Sequence, residues 1–352
     1  MSYPVVGRPR PHLVRVKAGR VYFWCRCGRS ASQPFCDGSH RGTGFSPVRF
    51  QAGPEDQDLL FCGCKETRNA PFCDGSHNNL PGGSPADDPL SAANLAIRTV
   101  ERQGPRALLN GGYVFSPRLA AMSSRGALRY CYLVTEQMGA SHQTQILLEL
   151  SDGELSPVIS LGDSDVILFI AAGTGEITIA GRPFPLRADD GVYVRPGEAI
   201  QLAAQPGETL RVFMLGCPIA ELQWPGAMAA NFDARHPQRV VSVDPAKRVA
   251  MGSRYFQLLV DKAIGSRVIT QFIGHIPCSK AAPHRHLYEE AIILLSGEGY
   301  MWTEDRKAPV TAGDVIFLPS RQLHSLQATS ADGMDVVGVI CPGDNPSINY
   351  YD

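Results

Sequence analysis

Eight residues constrain this chain more than any others: Cys25, Cys27, Cys36, His40, Cys62, Cys64, Cys73 and His77. They form two copies of C-x-C-x8-C-x3-H, 37 residues apart at every position. Thiolate and imidazole are soft to borderline ligands, suited to zinc or iron–sulfur centres and not to magnesium or calcium. Disulfide bonding fits less well, because a His recurs with each Cys triplet and no secretion signal precedes them. Buried structural thiols would not keep such spacing. Structural zinc stays in play, although its ligands usually pair as C-x2-4-C. A single intervening residue brings two sulfurs close enough to share one iron, with the third Cys and the His on the other iron of a [2Fe–2S] centre.

A chain of 352 residues leads us to expect two to three domains. The net charge of −1 offers no bulk basic field for nucleic acid. With 35 Gly and 27 Pro, many turns and short strands are favoured over long helices. The start, MSYPVVGRPR, is basic but lacks the apolar core of a secretory signal. The longest apolar run, VILFIAA, is far shorter than a membrane span. Cys131, Cys217, Cys278 and Cys341 are scattered and read as the reduced thiols of a cytoplasmic protein.

Each Cys/His group follows two β-rich runs, predicting a hairpin that delivers its C-x-C. Asp37 and Asp74 stand where each could cap a short helix. NLPGGSPADDPLS reads as a linker, and Ser91 as the N-cap of a short helix behind it. Beyond residue 105, short β runs separated by Gly, Pro and Asp recur, pause at MAANFDARHP, and recur again. This predicts a mainly β chain ending in two copies of one barrel.

CRCGRSASQPFCDGSH and CGCKETRNAPFCDGSH resemble the CDGSH iron–sulfur domains of the mitoNEET type, over roughly residues 10 to 80. The resemblance implies one [2Fe–2S] cluster per motif. The implied ligand sets are Cys25, Cys27, Cys36, His40 and Cys62, Cys64, Cys73, His77. Single-motif relatives pair as dimers, so a tandem chain is expected to close that pair on itself.

The last barrel carries His284-x-His286-x3-Glu290-x6-Gly297, then Gly313-x5-Pro319 and His324. These runs resemble the two cupin motifs, over roughly residues 240 to 345, and imply a metal on His284, His286, Glu290 and His324. Strand alternation places 284, 286 and 290 on one face and Glu289 on the other. Arg321 departs from the family pattern without removing a ligand. Matching Gly173 to Gly297 and Pro196 to Pro319 sets Ser160, Gly162, Val166 and Gln201 where the ligands stand, so the first barrel is expected to be metal-free. The expected organisation is a tandem CDGSH domain (1–80), a linker (81–105), a degenerate cupin (106–227) and a metal-binding cupin (228–352).

Imidazoles with a carboxylate suit Fe(II), though manganese, nickel, copper or zinc also fit. Iron gives a reason for the clusters, since monooxygenation needs electrons from outside the substrate. The expected function is an iron-dependent oxygenase or oxidase acting on a small organic molecule, with O2 and a separate ferredoxin or flavin reductase as partners. Neither nucleic acid nor membrane is expected, and a homo-oligomer is compatible with the sequence. Two alternatives stand beside it. One is a dioxygenase that draws all electrons from its substrate, with regulatory clusters. The other is a non-catalytic redox or iron sensor. Isomerase, hydrolase and lyase chemistries also stay open.

Overall fold

The computed structural model describes residues 3–82 and 85–350; residues 1, 2, 83, 84, 351 and 352 lie outside the described residues. These fall at the ends of the expected first and last domains and inside the expected linker. The architecture is mainly β.

Four short strands make two antiparallel ladders near the N-terminus. His12–Val16 pairs with Gln57–Phe61, and Val21–Trp24 with Val48–Gln51. The expected hairpins therefore do not form, because each strand takes its partner from the other repeat. Alternation of apolar residues marks a strand but does not choose its neighbour. The exchange gives both repeats a shared core of Val16, Trp24, Ala52, Phe61, Cys62 and Cys64. Trp24 Nε1 donates to the Cys62 carbonyl at 2.9 Å across the two repeats, which close on one another within one chain.

The first barrel is built on a sheet ordered 240–241, 191–194, 165–172, 209–217, 144–151, 128–134, 123–125, facing a three-stranded sheet of 182–186, 175–179 and 200–204. The second has the same plan with additions. Its larger sheet runs 249–251, 254–260, 270–276, 334–341, 289–294, 315–318 and then 112–115 and 106–109. Its smaller sheet takes in 86–87 and 98–99.

These additions cut across the expected boundaries. The stretch 81–105 is not a bare linker, since Ala86–Asp87 pairs with Lys280–Ala281 and Arg98–Thr99 with Arg306–Lys307. Gly112–Phe115, placed by sequence in the first barrel, lies antiparallel to Val315–Phe317 of the second. Val240–Val241 in turn pairs with Gly191–Val192 of the first. Edge strands leave backbone donors and acceptors open, and covering one barrel's edge with chain from beyond the other satisfies them. Ser91 does cap a helix, Ala92–Leu95, its side chain accepting from Asn94 N. Between the barrels lies one apolar core, with Leu147, Phe169 and Phe213 of the first against Ala291, Phe317 and Val337 of the second.

Candidate metal centres and the segment between them

Within each N-terminal repeat the same backbone bonds recur 37 residues apart. Cys25 N donates to Pro34 O and Cys62 N to Pro71 O, each at 2.9 Å; Cys36 N and Cys73 N return to Phe23 O and Leu60 O. The loops are tied by Asp37 and Asp74. Asp37 accepts from Ala31 N and Ser39 N, and Asp74 from Arg68 N and Ser76 N. Neither caps an α-helix, contrary to the sequence reading. Each carboxylate instead holds a turn closed.

This scaffold gathers the predicted ligands. Cys25 and Cys27 sulfurs stand 3.7 Å apart, and Cys62 and Cys64 3.5 Å apart. Cys36 Sγ is 3.0 Å from His40 Nδ1, and Cys73 Sγ 3.3 Å from His77 Nδ1. Each pair is close enough to bind a single ion, and each repeat holds one Cys–Cys and one Cys–His pair. The Cys62 thiol is drawn down to about 7, foremost by its bond with Cys64, while burial pushes Cys73 up to about 12. The two repeats differ in exposure. His77 is buried, with Nε2 lacking a partner, whereas His40 and Cys36 are half-buried.

In the second barrel, ligand nitrogens of His284, His286 and His324 lie within 4.8 Å of one another. His284 Nδ1 donates to Ala282 O and His324 Nδ1 to Gln322 O, both at 2.8 Å, and His286 Nδ1 to Ile348 O at 3.4 Å. Those bonds fix the proton on Nδ1 and leave the Nε2 lone pairs for a metal. Glu290 Oε2 lies 3.6 Å from His286 Nε2 and 4.0 Å from His324 Nε2. Burial holds the three rings neutral, with His324 lowered to about 4, and raises the Glu290 carboxyl to about 8. A buried carboxylate beside three neutral imidazoles is a costly arrangement that a divalent cation offsets, so the residues fit a metal. Glu289 points the other way, accepting from Ser141 N and His142 N of the first barrel, as strand alternation predicts. Tyr288 stacks on His286 at 4.6 Å, with a buried hydroxyl that has no partner.

A family model described as iron-binding zinc finger, CDGSH type, matches residues 4–41. A cupin domain model matches 276–340, and an AraC-like ligand-binding domain model matches 163–250. The chain joins a CDGSH segment to a bicupin.

Mouse (Mus musculus) CDGSH iron-sulfur domain-containing protein 3, mitochondrial, is 53% identical over 51 residues, 14% of this chain and 37% of that protein. The Homo sapiens protein of that name is 54% identical over 50 residues, 14% of this chain and 39% of its own length. The chain thus spans under two fifths of these curated relatives. Among solved structures, E. coli Ylba aligns with a TM-score of 0.53 at 15% identity, covering 72% of this chain and 98% of its own. Lactobacillus farciminis oxalate decarboxylase gives 0.52 at 14%, covering 66% and 86%. At that identity the likeness is one of fold. The CDGSH match ends before Cys62, so the second motif rests on its repeat and its geometry.

The first cupin differs from the sequence alignment by one residue. Val166 pairs with Gly216 and Val194, as Glu290 pairs with Ile340 and Leu318. The bridge that joins His284 to His324 is held by Ile159 and Ile200, not by Ser160 and Gln201. The stretch from Ile159 to Val166 is one residue longer than that from His284 to Glu290, and Pro196 stands one place further from its strand than Pro319 does, so both alignments slip by one. Two Ile and a Val thus fill three of the four ligand positions, and all three belong to the first barrel's core.

Cys217 and Cys341, expected as scattered thiols, are paired in a disulfide. Their sequence separation of 124 equals the offset between barrels, so the bond joins equivalent positions of the two cupins. No helix among the described residues is long and apolar enough to cross a membrane.

Sequence reasoning missed the segment between the CDGSH motif and the cupin site, residues 343–350. On one side Asn345 Nδ2 donates to Asp74 O at 3.0 Å and Asn78 Nδ2 to Ser347 O at 2.6 Å. Ile348 and Tyr350 pack with Cys73 and Leu60. On the other side Ile348 O receives His286 Nδ1, and Pro346 and Asn349 line the metal cavity. No motif marks this stretch; only its place after the last barrel strand could have drawn attention.

Proposed function

We propose that this chain is an iron-dependent oxygenase or oxidase acting on a small organic molecule at His284, His286, Glu290 and His324. Electrons would reach it through [2Fe–2S] clusters on Cys25, Cys27, Cys36, His40 and on Cys62, Cys64, Cys73, His77. The observation that carries this reading is the segment 343–350, whose residues touch Asp74, Cys73 and Asn78 on one side and His286 on the other. When bound, Fe(II) supplies O2 activation and the clusters supply one-electron carriage. The protein's own part is to present three neutral imidazoles and one carboxylate from a sheet, in a cavity whose walls are largely apolar. A covalently joined donor acts at high effective concentration.

The reading calls for a ferredoxin or flavin reductase. Residues 1–50 hold nine Lys and Arg against one acidic residue, Asp37, which suits an acidic carrier. It also calls for a cytoplasmic setting and for neither nucleic acid nor membrane. Anaerobically purified protein should contain two [2Fe–2S] clusters and one mononuclear ferrous ion per chain by metal analysis and EPR. Chemically reduced clusters should be reoxidised by O2 faster in the wild type than in His284→Ala. Equal rates, or a colourless preparation holding only zinc, would defeat the proposal.

One observation favours a second reading. All four cupin ligands come from residues 284–324, and no CDGSH residue lines the cavity. A dioxygenase needing no external electrons, with regulatory clusters, would be built this way. Turnover without reductant by a chain beginning near Asp87 would select it.

A further inference from the structure

The two Cys/His motifs carry the same ligands in opposite surroundings, and four pairs of equivalent positions, 37 residues apart, show it. Phe23, whose carbonyl receives Cys36 N, is 49% exposed; its equivalent Leu60 is buried with Cys73, Ile348 and Tyr350. Arg26, between Cys25 and Cys27, is exposed; Gly63 replaces it, and a Cβ there would stand 2.0 Å from Arg10 O. Arg29 is exposed and corresponds to Glu66. Arg41, next to His40, is exposed; Asn78 replaces it, buried and bonded to Ser347 O at 2.6 Å. The histidines divide in the same way, His40 half-buried and His77 buried.

Charge follows that division. The stretch 25–41 holds three Arg against Asp37, whereas 62–78 sets Lys65 and Arg68 against Glu66 and Asp74, with Lys65 buried. Beside the first motif runs a short apolar strip: Val5 and Val6 are exposed, and Val5 N donates to Cys27 O at 3.0 Å. Apolar surface among exposed cations suits a negatively charged protein, whose long-range attraction speeds encounter and whose apolar contacts then hold it. The second motif offers no match, because the segment 343–350 packs on Cys73, Asp74 and Asn78.

We infer that electrons enter at the first motif and not at the second: an acidic one-electron carrier protein docks on Arg26, Arg29, Arg41 and the Val5–Val6 strip. In that step the reduced carrier gives up one electron and the first cluster takes it up. The inference rests on the proposed clusters, and it is independent of what the cupin site does with the electron. The test therefore uses the full-length, cluster-loaded protein without O2 or substrate, and an acidic plant-type [2Fe–2S] ferredoxin as the probe. Isothermal titration of the two oxidised proteins reads docking, and stopped-flow absorbance after mixing with reduced ferredoxin reads entry. Raising the salt from about 20 to about 200 mM should weaken binding and slow reduction at least about tenfold. At low salt the triple variant Arg26→Gln, Arg29→Gln, Arg41→Gln should lose about as much, and each single substitution about two- to threefold. Arg68→Gln, in the second motif, should match the wild type, and dithionite should reduce all of these proteins at one rate. No binding of ferredoxin, indifference to salt, an unaffected triple variant, an equal loss in Arg68→Gln, or an equal loss with dithionite would overturn the inference. If the triple variant fails to assemble its clusters, the single variants decide. Protein that takes up electrons in this way, but whose reduced clusters react with O2 no faster than those of His284→Ala, would sink the relay to the cupin and leave the entry face standing.

Discussion

Lys65 is where the two CDGSH motifs stop being equivalent. It occupies the position of Gly28 in the first copy, and both adopt the left-handed backbone, with φ of 69° and 79°. The side chain is buried. Its Nζ donates to Gln33 Oε1 at 2.8 Å and to Cys62 O at 3.1 Å, and stands 4.6 Å from the Trp24 ring. Burial lowers its pKa, while Cys25, Cys62, Cys64 and Cys27 oppose that shift, so the ammonium lies near ligands of both repeats. A fixed cation stabilises the reduced, more negative cluster and raises its potential. Lys65→Met should therefore lower the potential, on the order of 50 mV for a charge several ångströms away in a partly buried setting. An EPR-monitored redox titration reads this, and an unchanged or higher potential would refute the assignment. His324→Ala should remove the mononuclear metal while leaving the cluster absorbance intact, as elemental analysis with an optical spectrum would show. That these Cys and His residues would come together was legible because metal chemistry writes itself in spacing. The Ile159–Ile200 pair was not, because one extra residue before Val166 and a proline set one place later each shift an alignment by one without altering composition.

At the scale of the element, the closing segment 343–350 tells the two repeats apart. Gly75 and Gly38 are equivalent and both left-handed, with φ of 85° and 96°. A Cβ added at Gly38 meets nothing within 4 Å, whereas at Gly75 it would stand 1.8 Å from Ser347 Oγ. Gly38→Ala should cost about 1–2 kcal/mol of backbone strain. Gly75→Ala should cost more and displace the segment, and Ser347→Gly should recover part of the difference. Thermal unfolding of the three single variants and the double variant checks it; equal losses at Gly38 and Gly75 would show that the contact is slack. The strands themselves were visible as alternating runs, but their exchange between repeats was hidden. Pairing depends on which apolar face meets which, and that is a property of two segments at once.

Across the whole molecule, the chain leaving the first barrel is clamped by a buried ion pair. Arg239 meets Glu198 through both carboxylate oxygens, at 2.8 Å for Nη2–Oε1, and neither side chain reaches solvent appreciably. Burial alone would raise the Glu198 carboxyl, but the bonds and charge of Arg239 together with the N–H groups of Asp233 and Arg195 outweigh it and hold the group below its ordinary 4.5. A lowered carboxyl stabilises the fold above that ordinary value, and the contribution fades as pH falls through the lowered one. Glu198→Gln should lose roughly 3–5 kcal/mol at neutral pH by leaving Arg239 unpaired, and should show a flatter acid limb. Urea unfolding at pH 7 and pH 4 measures both; parallel pH profiles for the two proteins would discount the clamp.

The ribbon 106–115 that edges the second barrel precedes the first barrel in the chain, and the rest of the second barrel follows it. In sequence, then, the first cupin is an insertion within the second. Grafting a foreign cupin into that place would need two junctions, one after Phe115 and one before Val249, and a single splice would strip the recipient of its outer ribbon and bare Val315–Leu318 to aggregation.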